Sequence, residues 1–179
     1  MEYCFNTNID IWGTFKALTP YILALIVLVI WHWQKGKEVI ANESKETIKN
    51  LLQIRELSIN LIHNKFEDKT EIIKQLSEFK EKSESIYRSI LFLENSKMVS
   101  GLDSLHKQYY VTYVDIYHPI DISINKVDID KIKNIIKNEK NISNLIIFNN
   151  TCSEIIKILY PYSLYKFNLK AHRRTAPHT

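Results

Sequence analysis

Between Ile22 and Trp31 ten residues in a row are apolar. Extended to the flanking aromatics, Trp12 to Trp33 covers 22 residues with one charge, Lys16. At about 1.5 Å of rise per residue, a helix of that length crosses the roughly 30 Å hydrocarbon core of a bilayer. Trp12 marks one end, and Trp31 and Trp33 the other, where interfacial aromatics sit. Lys16 can reach toward the headgroups, and Pro20 stands near the start of the apolar run, where a missing amide is best tolerated. Two other readings compete, a cleaved signal peptide and the core helix of a soluble protein. The first expects a basic leader and a small-residue cleavage site, whereas Glu2 and Asp10 precede the run and WHWQKGK follows it. The second expects polar interruptions on a solvent face. The pattern therefore predicts a transmembrane helix over 12–33.

After Lys35 the pattern changes. From Lys35 to about Phe66, apolar Ile48, Leu51, Leu52, Ile59, Ile62 and Phe66 recur at helical steps with charges between them. Gly36 is the one weak point for a helix running on from the span. Residues 67–70 read as a turn, with Asp68 or Thr70 as N-cap. A second helix is predicted from Glu71 to Glu94, its inward stripe drawn by Ile72, Ile73, Leu76, Phe79, Ser83, Ile86, Tyr87, Ile90 and Leu91. Glu78 with Lys82 and Glu84 with Arg88 form i,i+4 pairs. The short connection suggests an antiparallel helical hairpin.

Residues 95–101 break the pattern. A third helix is expected from Leu102 to about Tyr117, with Leu102, Leu105, Tyr109, Tyr113 and Tyr117 on one side, and Pro119 then forces an extended piece. Because YYVTYVDIY is rich in β-formers and IDISIN alternates, a small β element near 109–125 is the competing arrangement. A short helix follows, capped by Asp128 or Asp130, with Ile129, Ile132, Ile135 and Ile136 inward. A final helix opens at Ser143 or a nearby Asn and bends or ends at Pro161. The fold class expected is all-α. It comprises an extracytoplasmic N-terminus (1–11), a single transmembrane helix (12–33), a helical domain (34–168) and a disordered tail (169–179).

Charge sets the orientation. Lys16 stands alone before the span's centre, while Lys35, Lys37, Lys45 and Lys49 follow the span. The positive-inside rule puts the helical domain in the cytoplasm and the N-terminus outside the plasma membrane. Trp12, Trp31, Trp33, Lys35 and Lys37 are thus the membrane-anchoring residues. Cys4 and Cys152 fall on opposite sides and should not pair. The net charge of +4 is mild and dispersed, so nucleic acid is not an expected partner. Three glycines, none adjacent in a loop, exclude Gly-rich phosphate loops, and two lone cysteines suggest no zinc cluster.

Little points to catalysis. Asp103 precedes His106 by three residues and Asp115 precedes His118 by three, which lets a carboxylate orient an imidazole. The two pairs stand twelve residues apart, about 120° around a helix, and so do not converge. Arg55 and His63, eight apart, miss the four-to-six-residue spacing of helical-bundle ribonucleases. No catalytic, metal or cofactor residue is assigned. His106, Tyr109, Tyr113 and Tyr117 form a candidate ligand or partner surface. Tyrosines stack on nucleotides as well as filling cores, and Lys107, Lys126, Lys131, Lys133 and Lys137 could meet phosphates.

The layout of short N-terminus, aromatic-flanked span, Lys-rich exit and helical hairpin resembles small uncharacterised single-pass membrane proteins of bacterial mobile elements and phage-defence loci. That resemblance carries no diagnostic motif. It implies a membrane-anchored partner or effector. The function expected is an interaction protein that self-associates or tethers a protein partner at the inner membrane. The first alternative is a membrane-disrupting effector whose soluble part senses a nucleotide or phage product. The second is a small membrane-bound hydrolase.

Overall fold

The structure is a computed structural model that describes residues 11–63, 69–125 and 129–166. Five α-helices account for nearly all of them: α1 Ile11–His63, α2 Lys69–Asn95, α3 Asp103–Asn125, α4 Ile129–Ile136 and α5 Glu139–Ser163. The chain divides into two compact units, Met1–Glu38 and Val39–Thr179, so the boundary falls in the Lys-rich segment after the apolar run. The expected N-terminal segment and tail, with Cys4, lie almost wholly outside the described residues, as do Phe66, Asp68, Lys126 and Asp128.

In the first unit, every described side chain from Trp12 to Lys35 is exposed except Thr19. The Thr19 hydroxyl donates to the Phe15 carbonyl at 2.7 Å. The helix passes through Pro20 without interruption. This section is long and apolar enough to cross a membrane, and none of its apolar window is buried within the fold.

The second unit is a helical bundle whose buried positions alternate steps of four and three. In α1 the series runs Ile40, Ser44, Thr47, Leu51, Ile54, Ser58 and Leu61, with Ala41 buried beside Ile40, and in α2 Ile72, Leu76, Phe79, Ser83, Ile86, Ile90 and Leu93. The α5 series is Asn141, Leu145, Phe148, Cys152, Ile155, Leu159 and Tyr162. A mean repeat of 3.5 keeps one seam turned toward its neighbours along the full helix, the packing logic of left-handed bundles. On α3, Tyr109, Thr112, Tyr113, Ile116 and Ile120 are buried, as is Leu102 just before it. The α3 helix packs most extensively on α5. An aromatic layer joins three helices: Phe148 lies 5.6 Å from Phe79 and 5.0 Å from Tyr109, centroid to centroid. The α2 contacts to α3 run in opposite chain sense, from Phe79–Tyr113 to Glu94–His106, so these two helices are antiparallel.

Hydroxyls occupy seam positions because a helix can absorb them. Thr47, Thr112 and Thr151 donate to carbonyls one turn back, of Glu43, Gln108 and Ile147 at 2.7, 2.7 and 2.9 Å. Ser58 donates to Arg55 O at 2.8 Å and meets Asn149 Oδ1 of α5 at 3.0 Å. These four hydroxyls are satisfied, whereas those of the seam residues Ser44 and Ser83 have no hydrogen-bond partner among the described residues; all are small enough to allow close helix approach.

Four sequence expectations need correction. The α3 helix continues through Pro119 to Asn125, and no strand occurs among the described residues, so the extended piece and the β element near 109–125 are replaced by helix. Pro119 is exposed, as is Asp115, whose carbonyl the missing amide leaves without its helical partner, so the lost hydrogen bond lies on the solvent side. Buried Thr112, Ile116 and Ile120 hold the helix from its other side. On α1 the inward face is rotated from the expected stripe: Leu52 is 52% and Ile59 46% exposed, because Ser44, Thr47 and Ser58 define the seam instead. Among the α2 stripe, Ile73 is exposed. Finally, Thr70 lies inside α2, which opens at Lys69, rather than capping it.

The α5 ends are set by local chemistry. Asn138 caps the N-terminus, its side-chain oxygen accepting from the Lys140 amide, which bears out an Asn rather than Ser143 as the start. The helix runs past Pro161 to Ser163. There Lys166 N donates to Pro161 O at 2.9 Å and Tyr165 N to Tyr162 O at 3.0 Å, with Tyr165 at φ 58°. This is a Schellman cap with tyrosine where glycine is usual.

Candidate functional site

A cleft of about 430 Å³ opens between α2 and α3. Its walls follow from helical spacing. Lys80, Glu84, Tyr87 and Arg88 line it from α2, and Tyr110, Tyr113, Val114, Tyr117 and His118 from α3. Both sets recur at three- and four-residue steps, so each is one edge of its helix, flanking the buried seam. Antiparallel packing sets those two edges face to face.

The tyrosines are ordered by contact. Tyr87 and Tyr110 lie 4.8 Å apart at 33°, and Tyr113 stacks on Tyr117 at 5.9 Å and 21°. Lys80 Nζ stands 5.4 Å from the centre of the Tyr117 ring. The Tyr117 hydroxyl donates to Asp121 Oδ1 at 3.0 Å. Burial, then the Asp121 hydrogen bond, pushes the Tyr117 phenol up to about 12. Burial raises Tyr113 further, and the Glu84 carboxylate beside it adds to the effect. Both phenols are therefore neutral donors at physiological pH. The cationic side chains are Lys80 and Arg88, against one carboxylate, Glu84, with His118 at the rim.

Of the four residues expected to form a ligand or partner surface, the cleft takes two, Tyr113 and Tyr117. Tyr109 is fully buried in the core, its hydroxyl 3.4 Å from the Ser83 carbonyl, so it offers no surface. The reason is geometric. A step of four residues turns the helix by 400°, so the stripe rotates about 40° at each tyrosine. It winds from the core at Tyr109 to the cleft at Tyr117. His106 is also outside the cleft: its Nδ1 meets Glu94 Oε2 at 2.5 Å, linking α3 to α2. Its carboxylate partner is thus Glu94, not Asp103. His118 reaches the cleft rim without His106, so the two histidines do not converge.

Lys80, Glu84, Tyr87, Arg88 and Tyr110 were not singled out as site residues by sequence pattern. The available signal was the spacing Tyr110, Tyr113, Tyr117, which shares a face with Val114 at helical steps. Of the lysines considered for phosphate contact, none of the described ones lines the cleft. Glu78 and Lys82 pair at 3.9 Å as expected. Arg88 is exposed and borders the cleft, forming no ion pair with Glu84 within 4.0 Å among the described residues.

Elsewhere the chemistry is structural. Cys152 is buried, and burial pushes its thiol up to about 12 against the lowering influence of Arg55, so it is not a thiolate at neutral pH. No group of three metal-ligating side chains occurs among the described residues. In the first unit, Trp12, Trp31 and Trp33 are exposed, Lys35 pairs with Glu38 at 2.7 Å, and Lys37 Nζ lies 3.2 Å over the Trp33 ring. Compared with known protein families, curated proteins and solved structures, the chain finds no match.

Proposed function

We propose that this chain is a membrane-anchored interaction protein whose bundle self-associates or holds a protein partner at the inner membrane. The observation that carries the reading is apolar surface on α1 that nothing in the fold covers. From Trp12 to Trp33 that surface extends around the whole helix, as expected where lipid is the solvent. Lys37 over Trp33 and the Lys35–Glu38 pair supply the polar exit from such a span. The excess of lysine after the apolar run supports an outside N-terminus and a cytoplasmic bundle. In this reading the α1 segment beyond Val39 and α2 form an antiparallel hairpin; the Lys82 to Gln53 hydrogen bond at 2.8 Å ties the two helices together. Farther along α1, Leu52 and Ile59 are seven residues apart, one heptad, on the surface of the bundle. That face is the one the proposed association would use. A role in phage defence rests on the resemblance of layout alone.

Crosslinking in native membranes tests the association. The wild-type chain should give a discrete crosslinked product, and Leu52→Asp with Ile59→Asp should abolish it while helicity is retained. A product unchanged by both substitutions would remove this surface from the proposal. Topology is read by an impermeant thiol reagent applied to intact cells. Cys4 should label and an introduced Ser85→Cys should not; the reverse pattern would overturn the orientation.

A further inference from the structure

We infer that the α2–α3 cleft binds a planar heteroaromatic phosphate of mononucleotide size. Its volume of about 430 Å³ falls in the range of small-molecule sites, roughly 300–1,000 Å³. Four tyrosines line it, and Tyr110 keeps 47% of its surface exposed, giving a phenol face to which a ring can stack. Stacking on aromatics is tolerant of ring identity because every base has a π-face.

Charge decides between the two ligand classes that aromatic cages serve. A quaternary ammonium needs an electron-rich box without competing cations. Here Lys80 already stands over Tyr117 at 5.4 Å, and Arg88 adds a second positive charge to the same wall. Glu84 is the one carboxylate among the lining residues, and Asp121, which accepts from the Tyr117 hydroxyl, stands just behind that wall near Lys80. Asp121 and Lys80 thus offset each other at the Tyr117 end, and Arg88, in no ion pair with Glu84, is the cation that can meet an anion at the other. The guanidinium of Arg88, exposed at the cleft edge, matches phosphate oxygens in a bidentate fork. Glu84, held beside the Tyr113 hydroxyl, is an acceptor for the N–H groups on a base edge. Stacking surface, base-edge acceptor and phosphate-binding cations thus occur within one cleft. The assignment is independent of the membrane reading, since every residue it uses belongs to α2 or α3.

Calorimetric titration of the full chain in detergent micelles tests it, with AMP, GMP, CMP and UMP as probes and adenosine, inorganic phosphate and choline as comparisons. At least one mononucleotide should bind saturably in the millimolar range or tighter, with adenosine and phosphate each weaker. Tyr110→Ala should weaken binding about tenfold through the lost stack. Arg88→Ala should weaken the nucleotide but leave adenosine unchanged, and Lys157→Ala, on the exposed part of α5, should change nothing. Both cleft positions are exposed, and circular dichroism should show an unchanged fold in each variant. Absence of saturable binding by all four mononucleotides would overturn the inference. So would tighter binding of choline, or nucleotide binding that neither Tyr110→Ala nor Arg88→Ala alters.

Discussion

Two stretches of the same helix obey opposite rules. Between Trp12 and Trp33, α1 is apolar nearly everywhere and buries almost nothing within the fold; between Ile40 and Leu61, apolar residues are sparser and burial follows one helical stripe. Leu28 is 61% exposed whereas Ser44 is 0% exposed. Hydrophobicity alone therefore does not say what is inside. Position on the seam decides burial in the second stretch, and the absence of any seam distinguishes the first. A helix apolar on all sides requires an apolar surrounding, while one apolar on a stripe requires only neighbouring helices.

The strongest way to break this comparison is to place charge in the first stretch. Leu23→Lys with Ile26→Lys should cost roughly 5–7 kcal/mol of membrane insertion, taking about 2.5–3.5 kcal/mol for each lysine near a span centre. The chain should leave the carbonate-resistant membrane fraction, while amide exchange in α2, α3 and α5 stays as in the wild type. Retention in that fraction would erase the distinction between the stretches.

Alkali should do the reverse, dissolving the bundle and sparing the apolar stretch. Burial raises Tyr109, Tyr113, Tyr117 and Cys152, so each contributes stability in its neutral form. Raised acids contribute fully below their ordinary values and lose that contribution as pH climbs through the raised ones. The ordinary values are 9.0 for the thiol and 10.0 for the phenols, and Cys152 and Tyr117 are raised to about 12. Stability should be flat through neutrality, decline from about pH 9–10 and collapse near 12 and above, as seen in denaturant midpoints. Loss centred below pH 8 would contradict the buried placement of these groups.

Single core substitutions sharpen the contrast. Phe79→Ala removes a ring in contact with Phe148 and Tyr113 and should destabilise the bundle by about 3–5 kcal/mol. Val27→Ala, in the apolar stretch, should leave bundle stability unchanged. Hydrogen exchange of α3 amides distinguishes the two. The smallest effect belongs to Ser44, whose buried Oγ has no hydrogen-bond partner among the described residues. Ser44→Leu should overfill the seam at about 1–3 kcal/mol. Ser44→Ala should be neutral or slightly stabilising, since it deletes an unsatisfied hydroxyl. A clear loss in Ser44→Ala would mean the hydroxyl has a partner that matters.

The legible features were those encoded within a dozen consecutive residues. The apolar run is visible without any tertiary information, and α2 begins and ends within two residues of its expected bounds because its stripe has one phase from Ile72 to Ile90. The α1 seam was misread because half-polar seam positions look like surface until neighbouring helices close over them. Pro119 was read as a stop, yet packing on the opposite side of α3 outweighs one missing hydrogen bond. Tyr113 and Tyr117 were recognisable as site candidates from their spacing. Their companions Lys80, Glu84, Tyr87 and Arg88 lie at least 25 residues away in sequence, and no local pattern joins them to α3.

By itself, then, the sequence determined an all-helical chain with one segment suited to lipid and several suited to a bundle, because periodicity and run length are local properties. Tertiary structure alone decided which face of α1 is inside, that Tyr109 is core and Tyr110 is surface, and that the α2 and α3 edges form one cleft. Those outcomes depend on the rotation and direction of neighbouring helices. A rotation of 40° per tyrosine is enough to move a side chain from the core into a binding wall.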